Sequence, residues 1–164
     1  MTATHKSRPM TRTAITTRAR LSGQAVIICV LLIIQFFLGM ITNLYVTIPS
    51  SHPGAGAKDF FAGAPDALSW AVGSGPVALA MHAALGMFLS LASILFIISA
   101  ARAHDRMWIY LSVAGCLLLI GAAFNGTSFV MYNHDFSSLI MSGLFALSLG
   151  SYLTGIYLSG RRSR

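Results

Sequence analysis

Residues 76–101 read PVALAMHAALGMFLSLASILFIISAA. The stretch holds about 26 residues without a formal charge. At about 1.5 Å per residue a helix of that length crosses a hydrocarbon core of roughly 30 Å with some tilt. It therefore reads as a transmembrane helix, and the rest of the chain is read around it. Near its start lies His82, the one histidine well inside an apolar run. Gly86 follows one helical turn on, then Ser90 and Ser93, so one face carries the histidine above a ladder of small residues. A polar side chain at such depth faces protein or a water-filled cavity rather than lipid, which makes this face the first place to look for function.

Composition agrees with a membrane protein. Of 164 residues 55% are hydrophobic and 9% charged, with a mean hydropathy of +0.73, whereas a soluble domain carries roughly 25% charged residues. There is no glutamate, and the four acids are Asp59, Asp66, Asp105 and Asp135. The net charge of +7 does not form a nucleic-acid stripe. Lys6, Arg8, Arg12, Arg18 and Arg20 precede the first apolar run, Arg102 and Arg106 flank a short link, and Arg161, Arg162 and Arg164 close the chain. Lys58 alone lies elsewhere. Under the positive-inside rule this distribution predicts four spans in a plasma (bacterial inner) membrane with both termini cytoplasmic. Cys29 and Cys116 sit in different apolar runs without a CxxC pair and read as small apolar residues.

Taken in order, residues 1–20 are polar and basic and predict a disordered cytoplasmic arm. A four-helix transmembrane domain follows over 21–160, with spans at about 21–48, 76–101, 107–131 and 136–159, and 161–164 form a basic tail. The first run has the basic preface of a signal peptide but far exceeds its usual 7–15 apolar residues, so an uncleaved helix is expected. Gln35, Gly39 and Asn43 make one polar stripe along it. The long outer loop between the first two spans contains His52-Pro53-Gly54-Ala55, which fits a type II turn. Its aromatic residues Phe60, Phe61 and Trp70 suit a segment on the membrane surface, with 65–70 as a short interfacial helix. On the last span Ser138, Ser142, Ala146, Gly150 and Thr154 recur every four residues. That small-residue seam predicts close helix packing, with a homo-oligomer or complex interface as the alternative. The fold class expected is thus all-α, an integral bundle of four transmembrane helices in a lipid bilayer, with no nucleic-acid partner.

Counted by depth, Asn43, His82 and Asn125 all fall roughly 8–9 Å beneath the outer surface. Three readings compete for this cluster. The first is a structural knot in which His82 bonds Asn43 or Asn125 and sets helix register. The second is a b-type haem or a metal on His82. His134 is the second ligand by residue type, although it lies about 8 Å too shallow, and Met141 is nearly level with His82. A copper or zinc site would instead need His52, His82 and His134 together. The third reading is a pocket for a quinone, a lipid or another apolar ligand, or an accessory role in a membrane complex. A proton-coupled pump is disfavoured, since no carboxylate lies mid-membrane. No nucleophile–base pair is visible, so no catalytic residue is assigned.

Four spans with His82 and His134 toward helix ends resemble the four-helix haem-b bundles of the cytochrome b561 class and the halves of haem A synthase. The resemblance implies haem b as cofactor and a redox role. The paired histidines at matched depth of the first family and the acidic motif after the first helix of the second are missing here. The segments Gln35-Phe36-Phe37-Leu38-Gly39-Met40 and His52-Pro53-Gly54 resemble those of small bacterial four-helix membrane proteins. The topology carries its own test. A reporter active only in the cytoplasm should work when fused after Arg164, and a tag near Gly56 should be reachable from outside intact cells. The reverse pattern would invert every depth assigned above.

Overall fold

A computed structural model describes residues 12–162. Five helices follow one another: α1 (Arg12–Tyr45), α2 (Phe60–Gly73), α3 (Val77–Arg102), α4 (Arg106–Tyr132) and α5 (Asp135–Arg162). All but α2 are long and apolar enough to cross a membrane. In hydrocarbon every backbone N–H and C=O must be satisfied within the chain, and these apolar segments meet that demand as helices. The four long helices close into a ring in which α1 packs on α3 and α5, and α4 packs on α3 and α5. α2 lies on α3 and α4. The protein is an all-α bundle built for a bilayer.

The scarce polar residues are placed where helices begin and end. Asp59 caps α2 by accepting from Ala62 N at 2.7 Å, and Asp105 caps α4 by accepting from Trp108 N at 3.3 Å. Asp135 sits in the first turn of α5, where a carboxylate meets the positive end of the helix dipole. Asn133 closes α4 in the left-handed region, with φ of 53°. The turn expected at 52–55 is present: Ala55 N donates to His52 O at 3.0 Å, and Gly54 has φ of 81°.

Several boundaries differ from those read in the sequence. α1 starts at Arg12, so residues 12–20, expected in a disordered arm, prolong the first span as helix. Once a helix is nucleated each added residue gains a hydrogen bond, and Arg18 is held by Asp105 at 3.4 Å. Residues 1–11 of that arm, and 163–164 of the basic tail, lie outside the described residues. α1 ends at Tyr45 rather than 48, since Ile48 precedes Pro49 and is biased to extended backbone. The surface helix α2 runs over 60–73 rather than 65–70, because the Asp59 cap starts it earlier.

The two halves of the bundle are filled differently. Toward the arginine-rich end the core is dense, with Leu21, Ile28 and Leu32 of α1, Leu89 and Phe96 of α3, Trp108 of α4 and Tyr152 of α5. Phe96 meets Trp108 edge-on at 5.3 Å and Tyr152 at 5.9 Å. α4 and α5 approach closely through two reciprocal contacts: the Trp108 indole lies against Gly155, and the Tyr152 ring lies against Gly115. Ser148 Oγ donates to Gly115 O at 2.8 Å between them. This is not the seam expected from the sequence. Ala146, Gly150 and Thr154 are exposed, and a side chain at Gly150 would meet open space. Four-residue spacing reports small size alone, while close approach needs a ring on the partner helix opposite the glycine. At the α2 end the buried residues are smaller, with Ala67, Ala71 and Leu79 beside Val130 and Met131.

Gly155→Ala should drive a methyl group into an indole that is fully buried and cannot yield. A loss of about 1–3 kcal/mol is expected, read as a lowered midpoint of thermal unfolding in detergent. Gly150→Ala should stay within about 0.5 kcal/mol of the parent.

Candidate functional site

α1 and α3 touch through a matched pair of notches. Gly39 of α1 leaves room for the His82 ring, whose Cε1 would stand 2.9 Å from a Cβ placed there. Gly86 of α3 faces Gln35, whose Nε2 would stand 3.2 Å from its Cβ. Gln35 precedes Gly39 by one turn, and His82 precedes Gly86 by one turn. Each helix thus offers a polar side chain and then a gap, and because the two run antiparallel each side chain enters the other's gap.

The hydrogen bonds assign the orientation of both groups. Gln35 Nε2 donates to the backbone O of His82 at 3.0 Å; a carbonyl only accepts, so the amide nitrogen must face it. The same Nε2 lies 3.4 Å from His82 Nε2. If it offers its second N–H there, that ring nitrogen accepts and the neutral imidazole carries its proton on Nδ1. Two buried atoms are then left over. His82 Nδ1, a donor, and Gln35 Oε1, an acceptor, have no hydrogen-bond partner among the described residues. Leaving such groups unpaired costs about 1–3 kcal/mol each.

Both residues belong to the wall of a cavity of about 270 Å³ at the α2 end of the bundle. All five helices contribute, with Asn43 of α1, Ala67 and Ala71 of α2, Ala122 and Gly126 of α4, and Met141 and Phe145 of α5 among the lining. Small residues such as Ala67, Ala71, Ala122 and Gly126 leave room between the rings of Phe36, Phe129 and Phe145. The hydroxyls in the wall are already engaged. Thr42 donates to Leu38 O, Ser90 to Gly86 O, Thr127 to Ala123 O and Ser142 to Ser138 O. Among the described residues of this mostly apolar wall, the His82–Gln35 pair is the one with buried side-chain atoms left without a hydrogen-bond partner.

The residues singled out in the sequence part company here. His82, Asn43 and Met141 line the cavity. Asn43 Oδ1 accepts from Ser138 Oγ at 3.4 Å, not from His82. Asn125 Nδ2 donates to Gly121 O on its own helix at 2.9 Å. The expected mutual bonding of Asn43, His82 and Asn125 is thus replaced by the Gln35–His82 contact, because equal depth does not make residues face each other. Met141 Sδ lies against Gly126, 3.0 Å from where a Cβ would be. His134 is exposed, stacks on Tyr132 with ring centres 6.1 Å apart, and does not line the cavity. His52 lies over the Trp70 ring at 4.1 Å, with Nε2 3.1 Å from Val130 O; it ties the loop to α2 and α4. Gln35 is the residue that sequence reasoning missed. Its signal was the Gln35/Gly39 spacing repeated as His82/Gly86, which pairs only when the helices are set antiparallel.

Cys29 and Cys116 are free and buried. Among the described residues no group of three or more His, Cys, Asp or Glu side chains is placed to hold a metal ion. Comparison with protein-family models, with curated proteins and with solved structures gave no match. Fold and site together define a small polytopic helical membrane protein with an apolar cavity and a histidine–glutamine pair in its wall.

The notch can be tested directly. Gly39→Ala should push the His82 ring out of place and lower stability by about 1–3 kcal/mol. In a His82→Ala background the same change should cost less by more than about 0.5 kcal/mol, the sign of a direct contact in a double-mutant cycle.

Proposed function

We propose that this protein binds a small apolar molecule with a hydrogen-bonding head, of the quinone or phenol type, in the cavity at the α2 end. The observation that carries this reading is the unpaired couple of His82 Nδ1 and Gln35 Oε1 in the wall of an otherwise apolar space. A carbonyl on the ligand would accept from the Nδ1 proton, and a hydroxyl would donate to Oε1. A cavity of about 150 Å³ holds benzene, so about 270 Å³ suits one substituted ring with the first part of a tail. The same wall explains the helix register, so the structural reading of His82 is contained in this one rather than opposed to it.

A haem b between His82 and Met141 is less well supported. The His82 Nε2 is turned toward Gln35, His82 is the one histidine among the described residues of the wall, and the space is small for four linked pyrroles. The proposed setting is a plasma membrane with both termini cytoplasmic, supported by ten of the eleven Lys and Arg residues falling on one side of the four spans. The outward stripe of Ala146, Gly150 and Thr154 leaves a face for self-association or for a larger complex.

The test uses a benzoquinone carrying one isoprenoid unit, added to the purified protein and followed by equilibrium dialysis. Saturable binding is expected, weakened about five- to tenfold by His82→Leu or by Gln35→Leu, the worth of one hydrogen bond, and unchanged by Asn125→Ala. Binding indifferent to His82 would sink the assignment. So would a reducible Soret band that disappears in His82→Ala, which would return the site to haem.

A further inference from the structure

At the opposite end of the bundle a second feature is assembled by the fold alone. Arg18 and Arg20 of α1, Arg102 of α3, Arg106 of α4 and Arg162 of α5 line one open cleft of about 720 Å³. Five arginines from four helices thus border a single space. Among the described residues one carboxylate shares it: Asp105, whose Oδ2 lies 3.4 Å from Arg18 Nε while its Oδ1 caps α4. Arg20, Arg102, Arg106 and Arg162 are exposed. The sequence rule for loop charge accounts for how many basic residues lie at this end, but not for their convergence. Arg161, the neighbour of Arg162, shows the contrast: it sits over the Tyr157 ring at 5.9 Å and takes no part in the cleft.

Like charges gathered at one mouth repel one another, and a single aspartate does not balance five arginines. An anion of matching shape relieves that repulsion. The arginine fork pairs with phosphate oxygens two at a time, and the cleft lies at the ends of the apolar helices, which in a bilayer is where headgroups begin. Basic pockets between membrane helices of this kind take acidic headgroups. We propose that the arginine cleft is a binding site for the phosphate headgroup of an anionic phospholipid. The tight turn between α3 and α4 brings Arg102 and Arg106 to the same mouth, with His104 held at φ of 53°. Arg20 lies in the third turn of α1, past the first turn where a cap would act. The site is separate from the cavity at the α2 end and does not depend on what that cavity holds.

The experiment uses the full chain purified in neutral detergent, titrated with phosphatidylglycerol or with phosphatidylcholine of the same acyl chains, and read by native mass spectrometry. Phosphatidylglycerol should be retained at least about tenfold more tightly than phosphatidylcholine, and the preference should shrink as salt is raised. The pair Arg102→Gln with Arg106→Gln should weaken phosphatidylglycerol about thirtyfold, and Arg20→Gln alone about fivefold. Arg161→Gln should change neither lipid. Should the double variant fail to fold, as judged by its unfolding midpoint without lipid, Arg20→Gln against Arg161→Gln decides the matter. Equal retention of the two lipids, or an equal loss in Arg161→Gln, would overturn the site. Displacement of the lipid by inorganic phosphate at equal concentration would reassign the cleft to a soluble phosphate and overturn the lipid assignment.

Discussion

The Trp108 indole lying against Gly155, answered by the Tyr152 ring against Gly115, sets how near α4 and α5 run. Lipid tails are as apolar as leucine, so membrane helices gain little from hiding apolar surface from one another and depend on close packing instead. A ring seated on a glycine is one of the few arrangements that gives both contact area and short helix separation. With Phe96 closing over both rings, the arginine-rich end becomes a solid plug. Everything at the other end is built on that plug, which allows the α2 end to be lined by small residues without loss of the bundle.

The hollow end is organised by polarity rather than by bulk. Gln35 and His82 are costly residues to place among apolar helices, and part of that cost is offset by the bond to His82 O and by mutual burial in the Gly39 and Gly86 notches. The offset is incomplete, since one donor and one acceptor remain. An arrangement meant only to lock two helices would do better with both satisfied. The unpaired atoms belong to residues that line the cavity. α2 covers this end with Ala67 and Ala71, and the loop before it is tied down by His52 on Trp70 and by the bond from Tyr132 Oη to Ala57 O at 3.0 Å.

Where sequence reasoning stopped is informative residue by residue. His82 was legible as a place to look for function because a histidine inside an apolar run is rare; its partners were not. Gln35 was visible in a polar stripe with Gly39 and Asn43, but its pairing with His82 was not. Asn125 had the right depth and turned out to serve its own helix through Gly121 O. Such local bonding is open to any Asn or Ser in a helix and leaves no mark in spacing. The seam of α5 failed for the same kind of reason, because small size at a fixed interval says where a neighbour could come close and not whether one does.

By itself, the sequence determined the apolar spans, their number, the turn at 52–55 and the gathering of positive charge at one end. Each of these follows from physics local to a few residues or to one helix: transfer of apolar side chains into hydrocarbon, satisfaction of backbone groups, and the conformational range of Pro and Gly. Only the tertiary structure decided that Gln35 meets His82, that Trp108 finds Gly155, that the α2 end is hollow and that five arginines share one cleft. Those outcomes depend on helix rotation and order around the ring, which bring together residues as far apart as Gln35 and His82 or Arg18 and Arg162. Rotation is set by the sum of many weak packing contacts, and no single stretch of the chain carries that sum.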